Sequence, residues 1–245
     1  MPLTYLPKKL FVVGVGPGSP KYLTDAAKDA IHKSRYIAGY KYTLTIVESI
    51  LNRSIQKIYE ITMKTQEDTF LGIYTKMSDG DYCTVPFTGD VNFSESEVVD
   101  RLLELFGHDN VEVIPGISSI QVAASKSRVP LDKAHIVTFH VSGDIEQKKL
   151  ELIKAVSDKK SVILLPRPWA KDNTREFMQS EIAIFLKKNG IDTSNLKTWV
   201  FENLTINNKE TIFKGKVNDL EGRKFSELSI MVIDQVKRQT YLEFD

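Results

Sequence analysis

Apolar residues along the chain fall into short unbroken runs that alternate with stretches of three-and-four spacing, a pattern that predicts strands and helices taking turns. Leu10-Phe11-Val12-Val13 reads as a buried strand, and Leu23, Ala26, Ala27, Ala30 and Ile31 then repeat at helical spacing. Helical periods return at Thr43 to Arg53 and at Thr65 to Ser78, the latter through Phe70, Ile73 and Met77, until Asp79-Gly80-Asp81 breaks the pattern. A strand is predicted from Tyr82 to Phe87. Ser94 with Glu97 three residues on forms a capping-box pair for a helix through Val98, Leu102 and Leu105, stopped at Gly107. Val111 to Ile114 is a short buried-type strand, and Pro115-Gly116-Ile117-Ser118-Ser119 turns into a helix through Ala123 and Ala124.

Beyond Pro130 the spacing predicts strands at His135 to Val141, Ser161 to Leu165, Lys197 to Phe201, Glu210 to Phe213 and Leu228 to Ile233. Helices over Lys148 to Val156 and Glu176 to Lys188 fill the early gaps, with Gly190 as the second stop. No helical period separates the last two strands, so they are expected to pair antiparallel. The fold class is α/β, as two domains: residues 1–116 on a mostly parallel sheet and residues 117–245 on a mixed one. The two ends of the chain are expected to fray.

Composition narrows the function. Lys and Arg number 33 against 32 Asp and Glu, so no global field favours nucleic acid or an anionic membrane, and neither is expected as a partner. Hydrophobic residues make up 42% of the chain, yet no run approaches the roughly 18 apolar residues of a membrane span. With no leader pattern at the start, the expected location is the cytoplasm. The single cysteine, Cys83, excludes an internal disulfide framework and a multi-cysteine metal site, and reads as a small buried strand residue. His135 and His140 are five positions apart and point to opposite faces of a strand, which does not suit shared metal ligation, so no metal is expected.

Candidate chemistry starts at Gly14-Val15-Gly16-Pro17-Gly18-Ser19-Pro20, between the first strand and the first helix. Glycine permits backbone conformations and close approaches that a Cβ forbids, and the prolines stiffen the turn. A dinucleotide fingerprint requires glycine where Ser19 stands and a carboxylate about twenty residues on; the chain has Tyr36-Ile37-Ala38-Gly39 there. A Walker loop requires Gly-Lys before Ser or Thr, also missing. Two further loops leave the carboxyl ends of predicted strands, Thr88 to Phe93 and Pro115 to Ser119, at the edge where open α/β sheets bind ligands. In the middle loop Asp90 has two readings open to it: a carboxylate favourable beside a cation, or a turn residue bonding to neighbouring amides.

The three loops, in this order and at these separations, resemble the signatures of the tetrapyrrole (class III) S-adenosylmethionine-dependent methyltransferases: a GxGPG loop, a Gly-Asp-Pro loop and a PGxSS turn. Ser118 to Ala124, His135 to His140, and Glu202-Asn203-Leu204 with Glu210 extend the resemblance over nearly the whole chain, toward the precorrin-6Y (cobalt-precorrin-7) C5-methyltransferase branch. The resemblance implies S-adenosylmethionine as cofactor, with S-adenosylhomocysteine as product. It implies cofactor contacts from Pro17, Gly89, Asp90, Phe93, Ser118 and Ser119, and from Leu165, Asn203 and Leu204 in the second domain. Asp90 is the catalytic candidate and Gly16 a substrate-side one. The resemblance also implies a ligand cleft between the two domains; a corrinoid substrate rich in carboxylates calls for cations along one wall of it, and Arg128, Arg167, Lys171 and Arg175 are candidates, with a solvated surface face as the other reading of each. Trp169 and Trp199 read as core or dimer-contact residues.

The chain departs from the family pattern at Gly89-Asp90-Val91, where the proline is lost, and at Ser94-Glu95-Ser96, where Glu95 is positioned to cap the following helix. His140-Val141-Ser142-Gly143 and Leu165-Pro166-Arg167-Pro168-Trp169 also differ, both on the presumed substrate side. The resemblance implies a homodimer, and a separate protein for C15 methylation and decarboxylation. A sister methylase acting at another position or substrate, or a silent tetrapyrrole-binding protein, fits the same loops.

Overall fold

The protein is described here as a computed structural model covering residues 7–93, 95–141, 143–168 and 177–237. Ser94, Ser142, Trp169, Lys171 and Arg175, all singled out in the sequence, lie outside the described residues. The chain divides into two compact units, Met1–Ser119 and Ile120–Asp245.

In the first unit, strands β1 (Lys9–Gly14), β2 (Tyr36–Tyr40), β3 (Lys57–Ile61), β4 (Tyr82–Phe87) and β5 (Val111–Ile114) form one sheet in the order β3-β2-β4-β1-β5. Every pairing is parallel. Parallel strands need crossovers, supplied by α1 (Asp25–Lys33), α2 (Lys41–Val47), α3 (Gln66–Lys76) and α4 (Ser96–Phe106). Both sheet faces are covered, which is why β1 is apolar at every position after Lys9 until its closing glycine: Leu10 and Val12 pack with Phe70, Leu102 and Phe106, while Phe11 and Val13 pack with Ala27, Ile31 and Val47. Thr24 caps α1, its Oγ1 accepting from the Ala27 amide at 3.2 Å. Cys83 is buried in β4, where desolvation pushes its thiol pKa well above the ordinary range.

α5 (Ser119–Ser127) leads into the second unit, where β6 (Ala134–Thr138), β7 (Ser161–Leu165), β8 (Lys197–Glu202), β9 (Thr211–Lys216) and β10 (Ser229–Asp234) build a mixed sheet in the order β6-β7-β10-β8-β9. The expected antiparallel pairing of the last two strands is corrected: β9 pairs with β8, and β10 inserts between β7 and β8, antiparallel to both. The reason is burial. Residues of β10 are buried throughout, which suits a central strand, whereas no residue of β9 is buried and it takes the edge. One face of this sheet packs Val137, Val162, Leu164, Val200, Met231 and Ile233 against Leu152 and Val156 of α6 (Glu146–Ser157) and Ile182 and Leu186 of α7 (Gln179–Lys188). Since β10 is antiparallel to both β7 and β8, those two run parallel, and β6 runs with them.

Candidate functional site

The three loops found in the sequence converge in the first unit. The order β4-β1-β5 places three strands side by side, and parallel pairing puts their carboxyl ends at one edge. There the Val15 amide donates to the Phe87 carbonyl at 2.9 Å, while Gly16 and Gly89 exchange both backbone hydrogen bonds at 3.2 and 2.8 Å. Gly16 and Gly89 have φ of +81° and +76°, a region in which a side chain is strained. The third loop closes on the other two so tightly that a Cβ on Gly14 would stand 2.5 Å from the Gly116 nitrogen and 2.7 Å from the Gly89 oxygen. Gly14 and Gly116 are therefore essential to the junction; the sequence placed both in the candidate loops but singled out only Gly16, Pro17, Ser118 and Ser119 beside them. Their signal was position, since each sits where an apolar strand run meets its loop.

Asp90 latches the loops together. Its Oδ1 accepts the Asn92 amide at 2.9 Å and its Oδ2 accepts the Gly116 amide at 2.8 Å, so one carboxylate closes its own turn and binds the β5 loop. Of the two readings of Asp90, the turn-binding one is visible as these hydrogen bonds. Val91, standing where the family pattern has proline, is 1% exposed and belongs to the core cluster of Phe87 and Val98. Burial of that side chain anchors the turn to the core of the first unit. Pro17 is buried, whereas Phe93, Ser118 and Ser119 are half-buried beside these turns.

Glu95 is corrected as a helix cap: it occupies the residue before α4, but its side chain makes no capping bond. The carboxyl is half-buried, and desolvation pushes its pKa up to about 7 from 4.5. Nearby Tyr40, whose hydroxyl donates to Gln66 Oε1 at 2.7 Å, is itself raised by desolvation and by the Glu95 charge. Between pH 4.5 and about 7 the folded chain keeps a proton that the unfolded chain has released, so this group makes stability fall as pH rises through that window. Glu95→Gln is expected to flatten that part of the slope, checked by urea midpoints measured across the window from pH 4.5 to about 7; an unaltered slope would remove Glu95 as its source.

In the second unit the carboxyl ends of β6, β7 and β8 share one edge, and it carries Leu165, Arg167, Asn203 and Leu204. β6 ends sooner than the predicted strand, at Thr138, although the Phe139 amide still donates to the Leu165 carbonyl at 2.9 Å. Asn203 has φ of +49° and its amide donates to the Leu228 carbonyl at 2.8 Å, while Leu204 is buried. The Thr205 amide donates to Glu210 at 2.6 Å and so holds this turn. His140 hydrogen-bonds the Pro166 backbone, yet burial dominates and lowers its pKa to about 4, keeping the ring neutral.

The cationic candidates are placed differently. Arg167 is 6% exposed and its Nη1 donates to the Gly143 carbonyl at 3.0 Å, which makes it an internal brace of this edge. Arg128 has φ of +56° just past the end of α5, and it lines one groove together with Lys197 at the start of β8, the edge opposite Asn203. The second unit thus brings Leu165, Arg167, Asn203 and Leu204 to one edge and leaves Arg128 at the other. Trp199 stacks with Phe201 at 6.0 Å between ring centroids. Among the described residues, no helix is long and apolar enough to cross a membrane.

Residues 9–221 match the family model of tetrapyrrole (corrin/porphyrin) methylases. The chain is 28% identical over 237 residues to the probable cobalt-precorrin-7 C(5)-methyltransferase of Methanocaldococcus jannaschii, covering 92% of this chain and 97% of that protein. Among solved structures, the methyltransferase CobJ superposes with a TM-score of 0.74 at 16% identity, over 95% of this chain and 97% of that one. The precorrin-6Y methylase of Archaeoglobus fulgidus superposes with a TM-score of 0.61 at 19% identity, over 94% and 99%.

Proposed function

Since the chain belongs to the tetrapyrrole (corrin/porphyrin) methylases, we propose that it methylates carbon 5 of a cobalt-precorrin, cobalt-precorrin-7, in anaerobic cobalamin biosynthesis. The observation that carries this reading is the end-to-end similarity to the Methanocaldococcus jannaschii protein named for that activity. Enzymes of this family draw the methyl group from S-adenosylmethionine, whose sulfonium already activates it. The first unit fits such a group: beside Gly89 the space that a Cβ would fill is open, with the Ser119 amide at 4.0 Å as its nearest neighbour. Backbone and small polar groups there suit the charged amino-acid end of the cofactor.

In this proposal Pro17, Gly89, Asp90, Phe93, Ser118 and Ser119 of residues 1–116 and the turn after them hold the methionine part, and Leu165, Asn203 and Leu204 of residues 117–245 face the adenosine. Gly16 borders the substrate. The chain's work is to hold donor and ring carbon in line and to exclude water, which asks for positioning loops more than for acid and base groups. A corrinoid is the small-molecule partner, the enzyme acts in the cytoplasm as a homodimer, and a separate protein carries out C15 methylation and decarboxylation. Calorimetry is expected to show saturable S-adenosylhomocysteine binding, and carbon-13 methyl transfer to place the label on C5. A folded protein that binds no S-adenosylhomocysteine would overturn the proposal, and label at another ring carbon would overturn its position.

A further inference from the structure

The second unit carries a groove of about 830 Å³ that the methylase reading does not use. Its cations are Lys126, Arg128, Lys197, Lys214 and Lys216, and Asp234 is its one carboxylate. It lies at the amino-terminal edge of β8, opposite the edge that bears Asn203 and Leu204. Because Val200 and Phe213 face the α6–α7 core, the strand period turns Lys197, Trp199, Lys214 and Lys216 to the other face together.

Register leaves this placement with more positive than negative charge. Lys197 stands directly opposite Lys216, and Trp199 opposite Lys214, in the antiparallel β8–β9 pair, while Asp234 of β10 faces Lys197 from the other side and is the one acid among five cations. Like charges directly across a sheet repel. Lys126 is neutralised by Glu210, and Asp234 Oδ1 accepts the Val236 amide at 3.0 Å. Among the described residues Lys197, Lys214 and Lys216 have no ion-pair partner. Lys214 Nζ instead sits 4.5 Å from the Trp199 ring centroid, and Phe201 stacks against the same indole. With its ring occupied in this way Trp199 is not a platform for a nucleobase. The chain's formal net charge is only +1, so the excess of cations is local to the groove.

We propose that this groove is a binding site for a small polyanion bearing several carboxylate or phosphate groups, distinct from the candidate cofactor edge. Trp169→Phe makes Trp199 the sole tryptophan, and its emission reports on titration with tripolyphosphate and, separately, with tricarballylate at low ionic strength. Saturable binding of at least one probe is expected, weakened about tenfold or more when Lys197→Gln and Lys216→Gln are combined. The melting temperature of that double variant is expected not to fall, because it removes a repulsion. Saturation by tripolyphosphate alone identifies phosphate as the recognised group, and saturation by tricarballylate shows that carboxylates suffice. Failure of both probes, equal binding by the double variant, or tighter binding of a single-stranded oligonucleotide than of either probe would overturn the proposal.

Discussion

Gly116→Ala is expected to lower stability by about 3 kcal/mol and to weaken S-adenosylhomocysteine binding about a hundredfold or more. A Cβ at this position would stand 2.6 Å from the Gly14 carbonyl carbon and oxygen and closer still to the Gly89 oxygen. All of these atoms are backbone, so no side chain can swing aside. The loop must lift, and lifting it breaks the hydrogen bond that the Gly116 amide donates to Asp90. Gly72→Ala is the control: its Cβ would meet nothing within 4 Å, and in the interior of α3 the change favours the helix. Urea unfolding and calorimetry on the two variants test the junction. A Gly116→Ala protein as stable and as tight-binding as the parent would show that the three backbones do not meet as described.

Much of this junction was legible because its parts are chemically unusual. Two turns rich in glycine, proline and serine and a third that holds Gly89-Asp90, each after an apolar run, suffice to predict loops at the carboxyl edge of a sheet. What spacing does not encode is which backbone atoms touch. The bonds between Gly16 and Gly89, and between Asp90 and Gly116, join residues far apart in sequence, so the latch role of Asp90 emerges only in three dimensions.

The strands that escaped the hydropathy pattern are β2 and β3. β2 is only five residues long and runs directly into α2, so its apolar positions merge with a helical period. β3 takes a sheet edge and is half-exposed, which dilutes its signal. In the second unit, strand positions were readable but partners were not. Nothing in the local sequence says that β10 will enter between two earlier strands; its unbroken burial says so only once the sheet is seen. Arg167 illustrates the same limit, because an arginine after a strand reads as solvent- or ligand-facing until the Gly143 carbonyl is found beside it.

Asp90→Ala is expected to cost about 2 kcal/mol of stability, since it strips acceptors from two amides, of which that of Gly116 is partly buried. Releasing the β5 loop should also weaken cofactor binding roughly tenfold or more, about 1.4 kcal/mol. Asp90→Asn keeps one acceptor oxygen but turns an NH2 toward one of the two donors, so it should fall between Ala and the parent. The two readings of Asp90 separate on ligand charge. As a latch it acts on S-adenosylmethionine and S-adenosylhomocysteine alike, because both need the same loop. As a counter-charge to the sulfonium it acts on S-adenosylmethionine alone, because the thioether of the product is neutral. The hydrogen bonds predict parallel losses for the two ligands, measured by calorimetry on each variant. A loss confined to S-adenosylmethionine would assign Asp90 to the charge, and unchanged binding of both would take it out of the site.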